Sequence, residues 1–266
     1  MYKPVIMSAL LMAFPAFVSA QPLDELARVE VVPGWRTGEG QHMAGLRVTL
    51  EPGWKTYWRA PGDGGIPPQF SFQGSDNIAA VAPHWPVPQV FRQNGLSSIG
   101  YHDSVVFPLT VYGEDPDAQM RIAGSLFIGV CEEICIPVNL SFDALLPIEG
   151  ERDPAITAAL VNRPLTAEEA NVGSVTCAVE PISDGLSVTA TIDAPQIDAQ
   201  EFVVVEAGDA NVWVSEADTS RDGNMLSATV DMVHDSGTAF ALDRSQLRIT
   251  VLGGNQAIDI QGCSAG

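Results

Sequence analysis

The chain is poor in positive charge. Its 13 Lys and Arg stand against 33 Asp and Glu, giving a formal net charge of −20 at pH 7. Such acidity repels nucleic acid and anionic membrane surfaces over a Debye length of ~8–10 Å, so neither is expected as a partner of the whole molecule. Most of that acidity serves solubility. Histidine is scarce too: His42, His84, His102 and His234 are scattered, with no HExxH or paired Cys/His spacing, so zinc hydrolysis has no support and no metal site is expected. No GxSxG, P-loop or strand-to-helix GxGxxG occurs, and no cofactor is expected. Long apolar runs are also missing. The opening MYKPVIMSALLMAFPAFVSA is interrupted by Ser8 and Pro15 and falls short of the ~20 apolar residues of a spanning helix. Its early Lys3, short apolar stretch and ending Val18-Ser19-Ala20 instead predict a signal peptide over residues 1–20, cleaved before Gln21. No later segment could span a bilayer, so direct membrane insertion is not expected. Removing 20 of 266 residues leaves 246, and the loss of Lys3 moves the charge from −20 to −21. The destination is an oxidising compartment in which disulfides persist.

What remains is rich in strands. LRVTLEP, PQFSFQG, VVFPLTVYG, MRIAGSLFIGV and CIPVNLSFDALLPI alternate or run apolar between Gly, Pro and Asp, the pattern of an antiparallel sandwich. Asp153 and Pro154 then open a short helix, AITAALV, followed by the polar TAEEAN. A second strand series runs from GSVTCAVEPI to QAIDIQG. The reading is all-β: two immunoglobulin-like sandwiches, residues 21–150 and 172–266, joined by a short helical linker over 151–171.

The four cysteines fall two and two. Three connectivities are open, and pairing within each sandwich is the simplest. Cys177 alternates in step with Val175 and Val179, so it faces the interior, and a bridge to Cys263 would be a structural staple worth about 4 kcal/mol in the chain-entropy picture.

Cys131 and Cys135 differ. They flank the turn EEI of a hairpin, SLFIGVCEEICIPVNLSF, in which Leu126, Ile128, Val130, Ile136, Val138, Leu140 and Phe142 share one face. Phe127, Gly129, Cys131, Cys135, Pro137, Asn139 and Ser141 share the other, so both cysteines point away from the main core. A bridge here closes a very small loop and stabilises little, which suits a dithiol that opens and closes. Glu132 and Glu133 oppose thiolate formation, which favours a pair that gives electrons away. Cys135 is expected to be the shielded, resolving thiol, crowded by Pro137 and the returning strand, with Cys131 forming mixed disulfides.

GWKTYWRAPGDGGIPPQFSF, NGLSSIGYHDSVVFPLTV and GVCEEICIPV, in that order, resemble the amino-terminal periplasmic domain of the DsbD thiol:disulfide interchange proteins, and more closely its ScsB-type relatives, over residues 24–150. The resemblance implies a periplasmic redox sandwich. Its cysteine pair, here Cys131 and Cys135, takes electrons from a membrane-embedded thiol reductase or a thioredoxin-like donor and passes them to periplasmic disulfide proteins. It also implies an aromatic pair beside the site, Tyr57 and Trp58, and a cap loop over residues 91–101 with Phe91 or Tyr101 as the shielding ring. The intervening EEI is shorter than the loop of the best-known members. With no membrane or thioredoxin domain in the sequence, electrons are expected from a separate protein. The competing reading is a non-catalytic envelope module whose hairpin bridge is structural, binding a protein partner or Cu(I) through the thiols with His102 or Met43.

Overall fold

A computed structural model describes residues 26–37, 40–93, 95–115 and 117–266. The signal peptide expected over residues 1–20 lies outside the described residues. Apart from one short helix, the regular secondary structure described is all strand, arranged as two sandwiches. In the first, a four-stranded sheet of order β1 (Ala27–Arg36), β2 (Gln41–Leu50), β8 (Ser104–Tyr112), β5 (Ala80–Pro83) faces a second sheet of order β10 (Cys135–Leu146), β9 (Met120–Cys131), β3 (Lys55–Tyr57), β7 (Leu96–His102), β6 (Gln89–Gln93), with β4 (Gln69–Ser71) on β9. The strands that matter for the site are β3, β6, β7, β9 and β10. β9 and β10 form one unbroken antiparallel ladder from Met120↔Leu146 to Cys131↔Cys135. The apolar alternation fixes its facing: Leu126, Ile128, Val130, Val138, Leu140 and Phe142 are all buried in the core between the sheets.

Helix α1 (Pro154–Val161) starts where Asp153 accepts hydrogen bonds from the amides of Ala155 (2.7 Å) and Ile156 (3.2 Å), with Pro154 in the first turn where its missing N–H costs nothing. Its buried Ile156 packs over Gly45 and Val106, on the outside of the four-stranded sheet. The segment that follows is not all helix: Leu165–Thr166 forms β11 and pairs in parallel with β19 (Gln256–Gln261) of the second sandwich.

The second sandwich packs a sheet of order β11, β19, β18 (Arg248–Gly253), β14 (Phe202–Glu206) on a sheet of order β15 (Val212–Val214), β17 (Met225–His234), β13 (Leu186–Asp193), β12 (Val175–Pro181), β20 (Ser264–Ala265), with β16 (Asp218–Asp222) on β17. Cys177, on β12 (Val175–Pro181), is fully buried in its core and is bridged to Cys263 with a Cα separation of 5.8 Å. The run EFVVVE explains how the two sandwiches meet. Val203 and Val205 of β14 (Phe202–Glu206) enter the second core, whereas Phe202 and Val204, on the other face, pack against the first. A continuous apolar strand is what burial on both faces requires. Beside it, Arg59 donates to both carboxylate oxygens of Glu206 (2.9–3.2 Å) and to Thr250 Oγ1 (3.1 Å), while its guanidinium stacks 3.8 Å from the Trp58 ring. Among the described residues no helix is long and apolar enough to cross a membrane.

Candidate functional site

The site lies on the outer face of the six-stranded sheet, at the tip of the β9–β10 hairpin. Cys131 and Cys135 are direct cross-strand partners 4.2 Å apart at Cα and form a disulfide, the close type of antiparallel pair, which brings side chains together. Lys55 of β3 is the next neighbour of Cys131 across the ladder, and His102 of β7 the next beyond Lys55. Cross-strand partners share a face, so these side chains stand in one row with the bridge.

Tyr57 stands on the same face, two residues from Lys55. Its Oη lies 3.0 Å from each sulfur and 3.4 Å from the Gly64 carbonyl. The sulfurs of a closed bridge carry no hydrogen, so the phenol is the only possible donor to them. Burial pushes the Tyr57 phenol above its ordinary pKa, which keeps that proton in place. The ring reaches the sulfurs because residue 129 is glycine: a Cβ there would stand 2.9 Å from Ile66 Cβ and 3.1 Å from Tyr57 Cδ2. Residues 60–68 fold over Tyr57 from the other side, with Pro61 accepting from the Ile99 amide at 3.0 Å. Asp63 in this segment accepts a hydrogen bond from Trp213 Nε1 of the second sandwich at 3.2 Å.

The two sulfurs are unequally placed. Cys131 is 1% exposed, whereas Cys135 is exposed at the tip beside Ile134, itself 67% exposed. This reverses the expectation that Cys135 is the shielded thiol. Cys131 is flanked by β3 as well as β10 and lies beneath the Tyr57 hydroxyl, whereas β10 is the edge of its sheet and leaves Cys135 open on one side.

Three of the expected aromatic neighbours lie elsewhere. Trp58 is fully buried in the core between the sheets, because adjacent residues of an extended segment point to opposite faces and Tyr57 already takes the outer one. Tyr101 is core as well, 7% exposed, donating to the Pro86 carbonyl at 2.9 Å and packed edge-on to Phe107. Within that range Phe91–Gln93 and Leu96–Tyr101 lie on the paired strands β6 and β7 rather than in a loop over the bridge. Phe91 shares the outer face but sits on the far side of Lys55 from Cys131, 4.6 Å from the His102 ring and 5.2 Å from Lys55 Nζ. The copper ligands considered are not assembled: Met43 lies on β2 in the opposite sheet, and His102 turns its ring to Phe91. Among the described residues no group of three or more His, Cys, Asp or Glu is placed to hold a metal ion. No spacing in the sequence marks residues 60–68 or Lys55 as part of the site; the Pro- and Gly-rich APGDGGIPP after the Tyr57 strand is the one local sign of a covering loop.

Comparison with known proteins agrees with this geometry. No curated protein sequence matches the chain. The solved N-terminal periplasmic domain of ScsB from Proteus mirabilis superposes with a TM-score of 0.70 at 24% identity, over 93% of this chain and 97% of that one, so the likeness in fold spans both sandwiches. Residues 19–147 match the family described as thiol:disulfide interchange protein DsbD, N-terminal. Residues 19–147 therefore carry a DsbD N-terminal-type domain, a thiol:disulfide interchange module, with the Cys131–Cys135 disulfide at the tip of its β9–β10 hairpin.

Proposed function

We propose that Cys131 and Cys135 form an exchangeable bridge that carries two electrons from a protein dithiol, of the thioredoxin-like or membrane-embedded class, to disulfide proteins of the cell envelope. The carrying observation is the asymmetry of the site: Cys135 is an exposed residue on an edge strand, Cys131 is a buried one, and one tyrosine hydroxyl lies 3.0 Å from both sulfurs. A donor thiolate attacks Cys135 Sγ, a donor–Cys135 bond forms, and the Cys131–Cys135 bond breaks with the electron pair leaving on Cys131. Tyr57 stabilises that thiolate through its O–H. The donor's second thiolate then attacks its own sulfur in the mixed disulfide and releases Cys135. The donor leaves as a disulfide, and the pair has gained two electrons and two protons. Discharge to an acceptor is the reverse, with Cys135 attacking and Cys131 resolving.

The exposed Ile134 between the cysteines gives a partner an apolar contact at the reacting tip. The second sandwich supports the site through Arg59–Glu206 and through the Trp213–Asp63 contact to the covering segment. The periplasmic placement of the ScsB domain, together with the expected signal peptide, supports a periplasmic location for this chain.

Single Cys→Ser variants test the reading. With a thioredoxin-class protein whose resolving cysteine is replaced by Ser and whose remaining cysteine is activated as its thionitrobenzoate disulfide, Cys131→Ser should release thionitrobenzoate and accumulate a mixed disulfide through Cys135, because no thiol remains on either protein to resolve it. Cys135→Ser, with only the buried thiol, should form little. If both variants fold and neither forms a mixed disulfide, the bridge is structural.

A further inference from the structure

Lys55 is 9% exposed, yet its ammonium meets only neutral groups: it donates to Gln93 Oε1 at 3.2 Å and lies 5.2 Å from the Phe91 ring centroid. Among the described residues no carboxylate lies within ion-pair distance of it. A buried cation without an anion is unfavourable, and it persists where another state of the molecule supplies the anion. Of the two cysteines that become anions in turn on turnover, Cys131 is the buried one and the direct cross-strand partner of Lys55. Adjacent strands are ~4.8 Å apart, a gap that a stem of four methylenes crosses by rotation about its own bonds.

We propose that Lys55 is the counter-ion of the Cys131 thiolate, turned toward Gln93 and Phe91 while the bridge is closed and toward the sulfur once it opens. The inference rests on the exchange reading above and deepens it. Atoms and electrons balance as before: the pair arriving on Cys131 comes from the attacking dithiol, and Lys55 adds charge but no proton. The titratable and charged groups around Cys131 are Lys55 and Tyr57 on β3, His102 on β7, and Glu132 and Glu133 in the turn. Both glutamates oppose the thiolate, so Lys55 is the fixed cation in the row. Burial lowers the Lys55 pKa from its ordinary value, which fits an ammonium lacking an anion in the closed state.

The test uses the full chain with Cys135→Ser, titrating the Cys131 thiolate by its absorbance at 240 nm and correcting for tyrosinate at 295 nm. An opposite charge within a few ångströms lowers a pKa by about 1–3 units, so Lys55→Met should raise the proton affinity of Cys131 at least about tenfold. Lys55→Gln, which keeps a polar end, is the second variant should the first fail to fold, and Lys55→Arg should stay near the parent. In the two-cysteine protein at pH 9, Lys55→Met should shift the equilibrium with glutathione about tenfold toward the disulfide, or about 30 mV. A Cys131 titration unchanged in folded Lys55→Met and Lys55→Gln would overturn the counter-ion, even with a labile bridge. A bridge that resists glutathione in the parent, with the titration shifted, would overturn the exchange reading and leave the charge pairing standing.

Discussion

Removing each disulfide in turn separates a staple from a switch. The Cys177–Cys263 bridge spans 86 residues and the Cys131–Cys135 bridge spans 4. In the chain-entropy relation these separations correspond to about 4.6 and about 1.9 kcal/mol at 25 °C. Substituting Cys177 also opens a small cavity in the second core, which adds to the larger figure with the same sign. Substituting the equally covered Cys131 opens a comparable one and the exposed Cys135 none, so the cavities largely cancel and the difference between the two pairs rests on loop length. With a urea slope of about 2 kcal/mol per M, Cys177→Ala/Cys263→Ala should lower the midpoint of the second sandwich by about 2 M. The corresponding Cys131→Ala/Cys135→Ala variant should lower that of the first by about half as much, about 1 M. Urea-dependent hydrogen exchange read by mass spectrometry reports each sandwich separately, which matters because a two-sandwich chain is not guaranteed to unfold in one step. A larger loss on removing the hairpin bridge than on removing the long-range one would refute the division of tasks between them.

Two further outcomes follow from the first sandwich. Tyr57→Phe removes the one hydroxyl within reach of both sulfurs; a hydrogen bond to a charged group contributes about 1.5–3 kcal/mol, so opening by dithiothreitol in stopped flow should slow about 10- to 100-fold, and an unchanged rate in a folded variant would remove Tyr57 from the reaction. His42 and His84 are held below their ordinary pKa by burial, so the unfolded chain takes up their protons first as pH falls below about 6.5. Stability is then fully present above that value and falls below it, by at most about 1.4 kcal/mol per pH unit for each histidine. Urea midpoints of the first sandwich should therefore drop between pH 7 and 5.5, and a flat or rising profile would contradict the assignment.

The ladder from Leu126 to Phe142 shows how far alternation can be read from sequence. Every second residue points inward, and the buried set contains Leu126, Ile128, Val130, Val138, Leu140 and Phe142 as the pattern requires. Alternation names a face, however, and says nothing of what lies on it. Cys131 and Cys135 share the outer face, and one is buried because β3 and Tyr57 flank it while the other stands on an edge strand. The same period-two rule bears on Tyr57 and Trp58, since neighbours in an extended segment cannot both face one disulfide. Tyr101 follows suit, one residue from the outward Gly100. Residues 60–68 carry Pro and Gly rather than a periodic pattern, so where that segment folds is decided by contacts distant in sequence, including Trp213. The meeting of the two sandwiches was legible only as the unbroken apolar run of β14, which reads as a strand but does not reveal which core each side chain enters.

The central claim, that the hairpin bridge is the exchangeable one, is tested most directly by equilibrating the folded full chain across a series of thiol–disulfide buffers and mapping free thiols by mass spectrometry. The account predicts that Cys131 and Cys135 become free at potentials above about −300 mV, the region where structural bridges stay closed, while Cys177 and Cys263 remain joined. A Cys131–Cys135 bridge still closed well below about −300 mV, or one that opens only after Cys177–Cys263, would contradict it.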